Sequence, residues 1–346
     1  MKKTILVFLS LFILINILVD NLSADSKFQF GYDYSIFRGS NDKAIVEIYY
    51  SFYQKGLMYK FEDGKFIAAG QIDLSIFKNG TSDIVFSNSY KVPLTINDTS
   101  GSNLEQKIVG QLTFQIPYGD YTLRIIGRDY YEPSKSDSIQ QEIKIIRFDE
   151  TPQISDVELS TSIFKSSDTE SIFYKNTLEV IPNPSSLFGK NVTELYFYYE
   201  IYGLNKEKIS DEFIIISIIT DRNKNELYRK TKNIKPVSQS IAEYGFFEVD
   251  SLPTGKYFLI IKLSDSLNNI DILKEREFYT YNPNVDVYTV LTEDDKFLRS
   301  EYANMRKELI DEDFEKSLYL RTTTETEDYE KLTSLEQKRK FMYNFW

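Results

Sequence analysis

The side chains behind most enzymatic nucleophiles and zinc sites are missing from this chain, which holds no His and no Cys. Neither a Ser-His-Asp nor a Cys-His nucleophile can be assembled, and an H-E-x-x-H site cannot exist. Zinc prefers Cys and His ligands, so a structural zinc is not expected. Any chemistry would rest on Asp, Glu, Lys, Tyr or Ser. Asp221, Asn223 and Asn225 alternate as at the start of a calcium loop. Glu226 then stands where Gly makes the sharp turn and Lys232 where a bidentate Glu is needed, so a hairpin turn is expected instead. The acid runs Glu293–Asp295 and Asp311–Glu315 could attract a cation or a basic partner, although such runs are usually solvated helix faces. Glycoside hydrolysis needs two carboxyl groups at a set separation, and none of the 52 acidic residues is singled out as such a pair. The expectation is no catalytic residue, no cofactor and no metal: not an enzyme.

Tyrosines form the other candidate grouping. "VEIYYSF" (Val46 to Phe52) aligns with "LYFYYEI" (Leu195 to Ile201). Alternation puts Val46, Ile48, Tyr50 and Phe52 inward, matched by Leu195, Phe197, Tyr199 and Ile201. The opposite faces carry Glu47, Tyr49 and Tyr53 in one copy, and Tyr196, Tyr198, Glu200 and Tyr202 in the other. Exposed, these five tyrosines would offer a glycan or a peptide broad contact at little entropic cost. Packed, they would form a second layer, between domains or under a loop, and this reading carries more weight because only a contiguous patch is informative.

The elements that must hold these strands are written in a repeat. "PYGDYTLRIIGRD" from Pro117 and "PTGKYFLIIKLSD" from Pro253 match at six positions, P-x-G-x-Y-x-L-x-I-x-x-x-D. Tyr121, Leu123 and Ile125, like Tyr257, Leu259 and Ile261, line one face of a strand. Pro and Gly make the turn before it, and the tyrosine after it fits a tyrosine corner, ring in the core and hydroxyl on upstream backbone. Asp129 and Asp265 end the strand and cap the next turn. Phe28, Phe30, Tyr32, Tyr34 and Ile36 alternate in an opening strand, and Asp63-Gly64 turns a hairpin. Seven or eight strands per copy predict two tandem immunoglobulin-like, fibronectin-III-like β-sandwiches, over 25–149 and 150–283.

Outside the sandwiches, Lys2 and Lys3 precede an apolar stretch and the small-residue site Ser23-Ala24. This predicts a secretory leader over 1–24, or an uncleaved anchor, since Leu22 suits cleavage poorly. Its removal takes two Lys and one Asp, leaving 39 basic and 51 acidic residues, a net −12. That surface repels nucleic acid and anionic lipid. Residues 284–346 lose alternation and gain charge, predicting a helical segment. Thr333 and Glu336 are spaced as a capping box, and Leu335, Met342 and Phe345 share a helical face with Trp346 beside them. This is the expected docking helix, on a partner or on a domain that is missing.

"ISDVELS" (Ile154 to Ser160), "FYKNTLEVIPNPSSLFGKNVTELYFYYEIYGL" (Phe173 to Leu204) and "LPTGKYFL" resemble the N-terminal region of GWxTD-domain proteins. "EDYEKLTSLEQKRKFMYNFW" is similar to the helical stretch before that family's named motif. The motif is absent here, Trp346 being the sole Trp. The resemblance implies an exported or envelope-associated bacterial protein lacking its C-terminal domain, and carries over no functional residue. The functional expectation is an exported binding or structural protein, periplasmic or at the cell surface, whose partner is another envelope protein, the missing domain or a glycan. The alternative is a carboxylate-based enzyme acting on envelope polysaccharide.

Overall fold

Period-two alternation and a heavy load of Tyr and Phe favour strands, and strands dominate the fold. The computed structural model describes residues 28–40, 42–99, 104–204, 209–236, 238–285, 297 and 300–346. The expected leader over 1–24 and the acid run Glu293–Asp295 lie outside the described residues. No helix among the described residues is long and apolar enough to cross a membrane.

The first sandwich is built from β1 (Phe30–Arg38), β2 (Lys43–Tyr53), β3 (Lys60–Glu62), β4 (Lys65–Lys78), β5 (Ile84–Ile96), β6 (Lys107–Pro117), β7 (Gly119–Asp129) and β8 (Ser136–Ile145). One sheet runs β1-β2-β6; the other runs β3-β4-β7-β8, with β5 added to β4. Asp63 and Gly64 turn from β3 into β4 with φ of 48° and 77°, the left-handed pair that matches strand twist in a two-residue hairpin. Gly110 on β6 is required by packing, since a Cβ there would lie 2.3 Å from the Tyr50 ring. The core holds Val46, Ile48, Tyr50 and Phe52 of β2 against Ile72, Leu74 and Ile76 of β4 and Tyr121, Leu123 and Ile125 of β7.

The second sandwich repeats this order with β9 (Gln153–Ile154), β10 (Glu158–Lys165), β11 (Tyr174–Lys175), β12 (Leu178–Pro182), β13 (Leu187–Gly189), β14 (Glu194–Tyr202), β15 (Phe213–Asp221), β16 (Glu226–Ile234), β17 (Ile241–Glu248), β18 (Gly255–Asp265) and β19 (Ile270–Tyr281). Its sheets are β11-β12-β10-β14-β17, with β9 beside β14, and β13-β19-β18-β15-β16. The repeat keeps its register: Tyr121 pairs with Lys78, the last residue of β4, and Tyr257 with Asp221, the last residue of β15. The fold is mainly β, two tandem immunoglobulin-like sandwiches followed by a helical C-terminal segment.

Compact units do not coincide with the two sequence copies. One comprises residues up to Ser185 with Phe197–Lys208 and Pro236–Tyr244; the other comprises Ser186–Tyr196, Ile209–Lys235 and Gly245–Trp346. The reason lies in β1 and β2, which are buried on both faces. Phe37, Glu47 and Tyr49 point away from the first core yet are 3%, 7% and 0% exposed. Side chains from β10, β11 and β14 cover them.

The C-terminal segment holds α1 (Lys307–Lys316), α2 (Thr323–Glu330) and α3 (Leu335–Phe345). Phe297, Tyr302, Ile310, Phe314, Tyr329 and Met342 form its core. Capping of α3 falls one residue later than the sequence expectation. Ser334 Oγ accepts from Gln337 N–H and Gln337 Oε1 accepts from Ser334 N–H, each at 3.1 Å.

Candidate functional site

The expected tyrosine surface does not exist as one surface. Tyr49, Tyr198 and Tyr202 are at most 1% exposed, so these three are corrected to packed core residues. Tyr196 is half-buried, donates to Glu194 Oε2 at 3.1 Å and stacks on Phe246 within the second unit. Tyr53 is half-buried beneath Lys55 and Lys107, whose Nζ atoms stand 5.3 and 5.1 Å from its ring. It borders a cavity of about 280 Å³ lined by Phe30, Gly31, Ser51 and Lys107. For Tyr49, Tyr198 and Tyr202 the packed second layer, the weightier reading of these faces, is the one found. The runs "YYSFY" and "YFYYEIY" carry the signal, since near-continuous apolar strands are buried on both faces.

What the packed layer contains is a charge cluster in the first unit. Lys175 Nζ, from β11, donates to Glu158 Oε2 of β10 at 2.7 Å and also to Glu47 Oε2 of β2. Tyr49 hydroxyl donates to that same Glu47 oxygen at 2.7 Å. The rings of Phe37, Tyr49 and Tyr198 stand 5.1, 5.6 and 5.3 Å from the ammonium. Glu158 is fully buried, and its second oxygen, Oε1, has no hydrogen-bond partner among the described residues. Unpaired charge in such a place is costly. Burial, reinforced by the Glu47 charge and opposed by Lys175, pushes the Glu158 carboxyl up to about 7. Burial works against the Lys175 charge, yet the two carboxylates outweigh it and hold its pKa above the ordinary value. One ammonium between two carboxyl groups is neutral only when one of them carries a proton, and burial favours the neutral form at Glu158.

A second network lies beside it. Glu200 Oε1 accepts from the Tyr198 hydroxyl at 2.7 Å and from Asn176 Nδ2 at 3.0 Å; its Oε2 accepts from Tyr202 at 2.8 Å. Tyr202 Oη in turn accepts the Arg38 N–H at 2.9 Å, and the Arg38 guanidinium covers its ring. Burial first, then the Glu200 charge, drives the phenols of Tyr198 and Tyr202 far above their ordinary value. These tyrosines stay neutral and serve as donors.

The other predicted residues have simpler roles. Tyr121 donates to Pro117 O at 2.9 Å and Tyr257 to Pro253 O at 3.0 Å. Asp221 Oδ1 accepts from Asn223 N–H at 2.8 Å and Asn225 N–H at 2.9 Å, closing the β15–β16 hairpin. Among the described residues, no group of three or more Asp and Glu is placed to hold a metal. On the expected docking helix, Met342 is buried and Leu335 packs beside it in the segment's own core, so those two are corrected from an outward face to an inward one. Phe345 stacks on Phe341, and Trp346 is 58% exposed.

An aromatic pair that the sequence reading does not single out is formed by an exposed and a half-buried tyrosine. Tyr130 and Tyr131 meet edge to face, with Lys91 Nζ 3.9 Å from one ring and Lys60 Nζ 4.0 Å from the other. The doublet follows Asp129 directly, where only a turn was expected.

No protein-family profile matches the chain, and neither does any curated protein. Among solved structures it is similar to latent PorU from Porphyromonas gingivalis, at 11% identity over 76% of this chain and 21% of that one, TM-score 0.28. It is also similar to red sea bream transglutaminase, at 7% identity over 72% of this chain and 31% of that one, TM-score 0.20. A third is the β-glucuronidase of Parabacteroides merdae, at 11% identity over 68% and 28%, TM-score 0.22. The chain spans less than a third of the length of each of these proteins, and likeness at these scores carries no argument about activity.

Proposed function

We propose that this chain is an exported binding or structural protein of the bacterial envelope that engages its partner along a sheet edge. The observation that carries this reading is β5. Among the described residues it hydrogen-bonds to β4 alone, and its thirteen residues, IVFSNSYKVPLTI, hold a single charge in a chain that is 27% charged. Phe86, Tyr90, Val92 and Leu94 face the core, while Ile84 and Val85 are exposed. Edge strands normally carry charge to prevent pairing. By contrast, β16 is an edge bearing Glu226, Arg229, Lys230 and Lys232. A long edge with a single charge suits strand addition by an extended segment of a partner. The resemblance to the exported GWxTD-domain proteins agrees with an envelope setting, and the leader over 1–24 with export.

A photo-cross-linking residue at Val85, with a control at Lys232 on β16, tests this in native envelope. One stoichiometric adduct from position 85 and none from 232 is expected. No adduct from either position would end the reading. Turnover of envelope glycans abolished by a single Asp or Glu substitution would replace it with the carboxylate-enzyme alternative.

A further inference from the structure

We propose that Lys175 and Glu158 condense to an intramolecular amide, with Glu47 as the proton acceptor that makes the attack feasible. The reacting groups are already in contact, Nζ to Oε2 at 2.7 Å. They are shielded from water, since the side chains of Lys175, Glu47 and Glu158 are 10%, 9% and 0% exposed. Three aromatic rings close the space around the amine. Held neighbours of this kind react as if at very high concentration.

The two carboxyl groups have different parts to play, and their partners assign them. Glu47 Oε2 accepts from both Lys175 and the Tyr49 hydroxyl, as a charged carboxylate does. Glu158 Oε1 has no donor among the described residues. Glu158 is also the more deeply buried of the two, its side chain 0% exposed against 9% for Glu47; burial favours the neutral form of a carboxyl group, and a neutral carboxyl group is the better electrophile. Lys175 therefore gives one proton to Glu47 and attacks Glu158 Cδ as a free amine. The C–N bond forms, the C–O bond to the Glu158 hydroxyl breaks, and that hydroxyl leaves as water with a second nitrogen proton. Glu47 ends neutral and can hydrogen-bond to the new amide. Nothing is oxidised or reduced, and no co-reactant is needed. The product joins β10 to β11 across a separation of 17 residues.

The test is mass spectrometry of the folded, purified chain, measured after denaturation and compared with the mass of the sequence from its determined N-terminus. A chain lighter by one water is expected. Digestion should also release a branched fragment joining the segment that holds Lys175 to the one that holds Glu158. Lys175→Arg keeps the charge but cannot condense, so it should show the full mass and a lower Tm. Folded wild-type protein at full mass after prolonged incubation at neutral pH would overturn the proposal. So would a water loss that persists in Lys175→Arg or comes without the branched fragment. A branch from Lys175 to Glu47 would overturn the assignment of roles.

Discussion

Asp129 and Asp265 close the same position of the repeat, and each does more than cap a turn. Asp265 accepts from Leu267 and Asn268 N–H within the turn, then reaches another loop to take the Ser210 N–H and hydroxyl, both at 2.7 Å. Asp129 takes the Tyr131 and Glu132 N–H groups and the backbone of Met58. Burial alone would raise the Asp265 carboxyl, but these donors outweigh it and bring it from 3.8 down to about 2. A depressed folded pKa stabilises the fold above the unfolded value, and that contribution is lost as pH falls through the folded one. Asp265→Asn should therefore lower Tm at neutral pH, and the gap from wild type should close between about pH 4 and pH 2; thermal melts across that range check it. Tyr121→Phe and Tyr257→Phe each remove one hydroxyl-to-carbonyl bond. A loss of roughly 0.5–1.5 kcal/mol apiece is expected from denaturant titration. Both residue types were legible because the repeat printed them twice at one spacing. Their reach to Met58 and Ser210 was not, since nothing local marks the receiving loop.

At the scale of elements, strands were easier to read than their environments. Alternation located β2 and β14, and their inward residues are those the pattern names. It left open whether the other face meets solvent or a second layer of side chains, and on β2 and β14 a second layer covers most of it. Glu47 sits between Val46 and Ile48 and so reads as an outward, solvated charge; only Lys175 and Glu158, far along the chain, make it an inner one. The helix cap shows a different ambiguity. Thr333 with Glu336 and Ser334 with Gln337 both satisfy the capping-box spacing, and local sequence cannot choose between them. Because Ser334 is the residue used, Ser334→Ala should destabilise α3 by about 0.5–2 kcal/mol, while Thr333→Ala should cost little. Far-UV circular dichroism of the two variants distinguishes them.

For the whole molecule, the two copies in sequence are not two independent bodies. A cut at residue 149 looks natural from the repeat, yet it would strip the outer face of β1 and β2. Phe37 would lose the Tyr198 ring 5.9 Å away, Ile36 N–H its bond to Asp156 Oδ2 at 3.0 Å, and Glu47 its ammonium. Residues 28–149 expressed alone should therefore be aggregated or loosely packed, with strong binding of a hydrophobic dye and no sharp thermal transition. A cooperative, monomeric fragment would show that the covering layer is dispensable.

That covering layer also sets a timetable. Glu47 waits for a lysine 128 residues further along, an interval of roughly 6–25 s at 5–20 residues per second of synthesis. Through that interval the first sandwich must stand with the aromatic face of β2 open and an unpaired carboxylate in its middle. A chain emerging N-terminus first is most exposed to wrong association then, and slowing its production should harm its yield more than its small, locally wired turns would suggest.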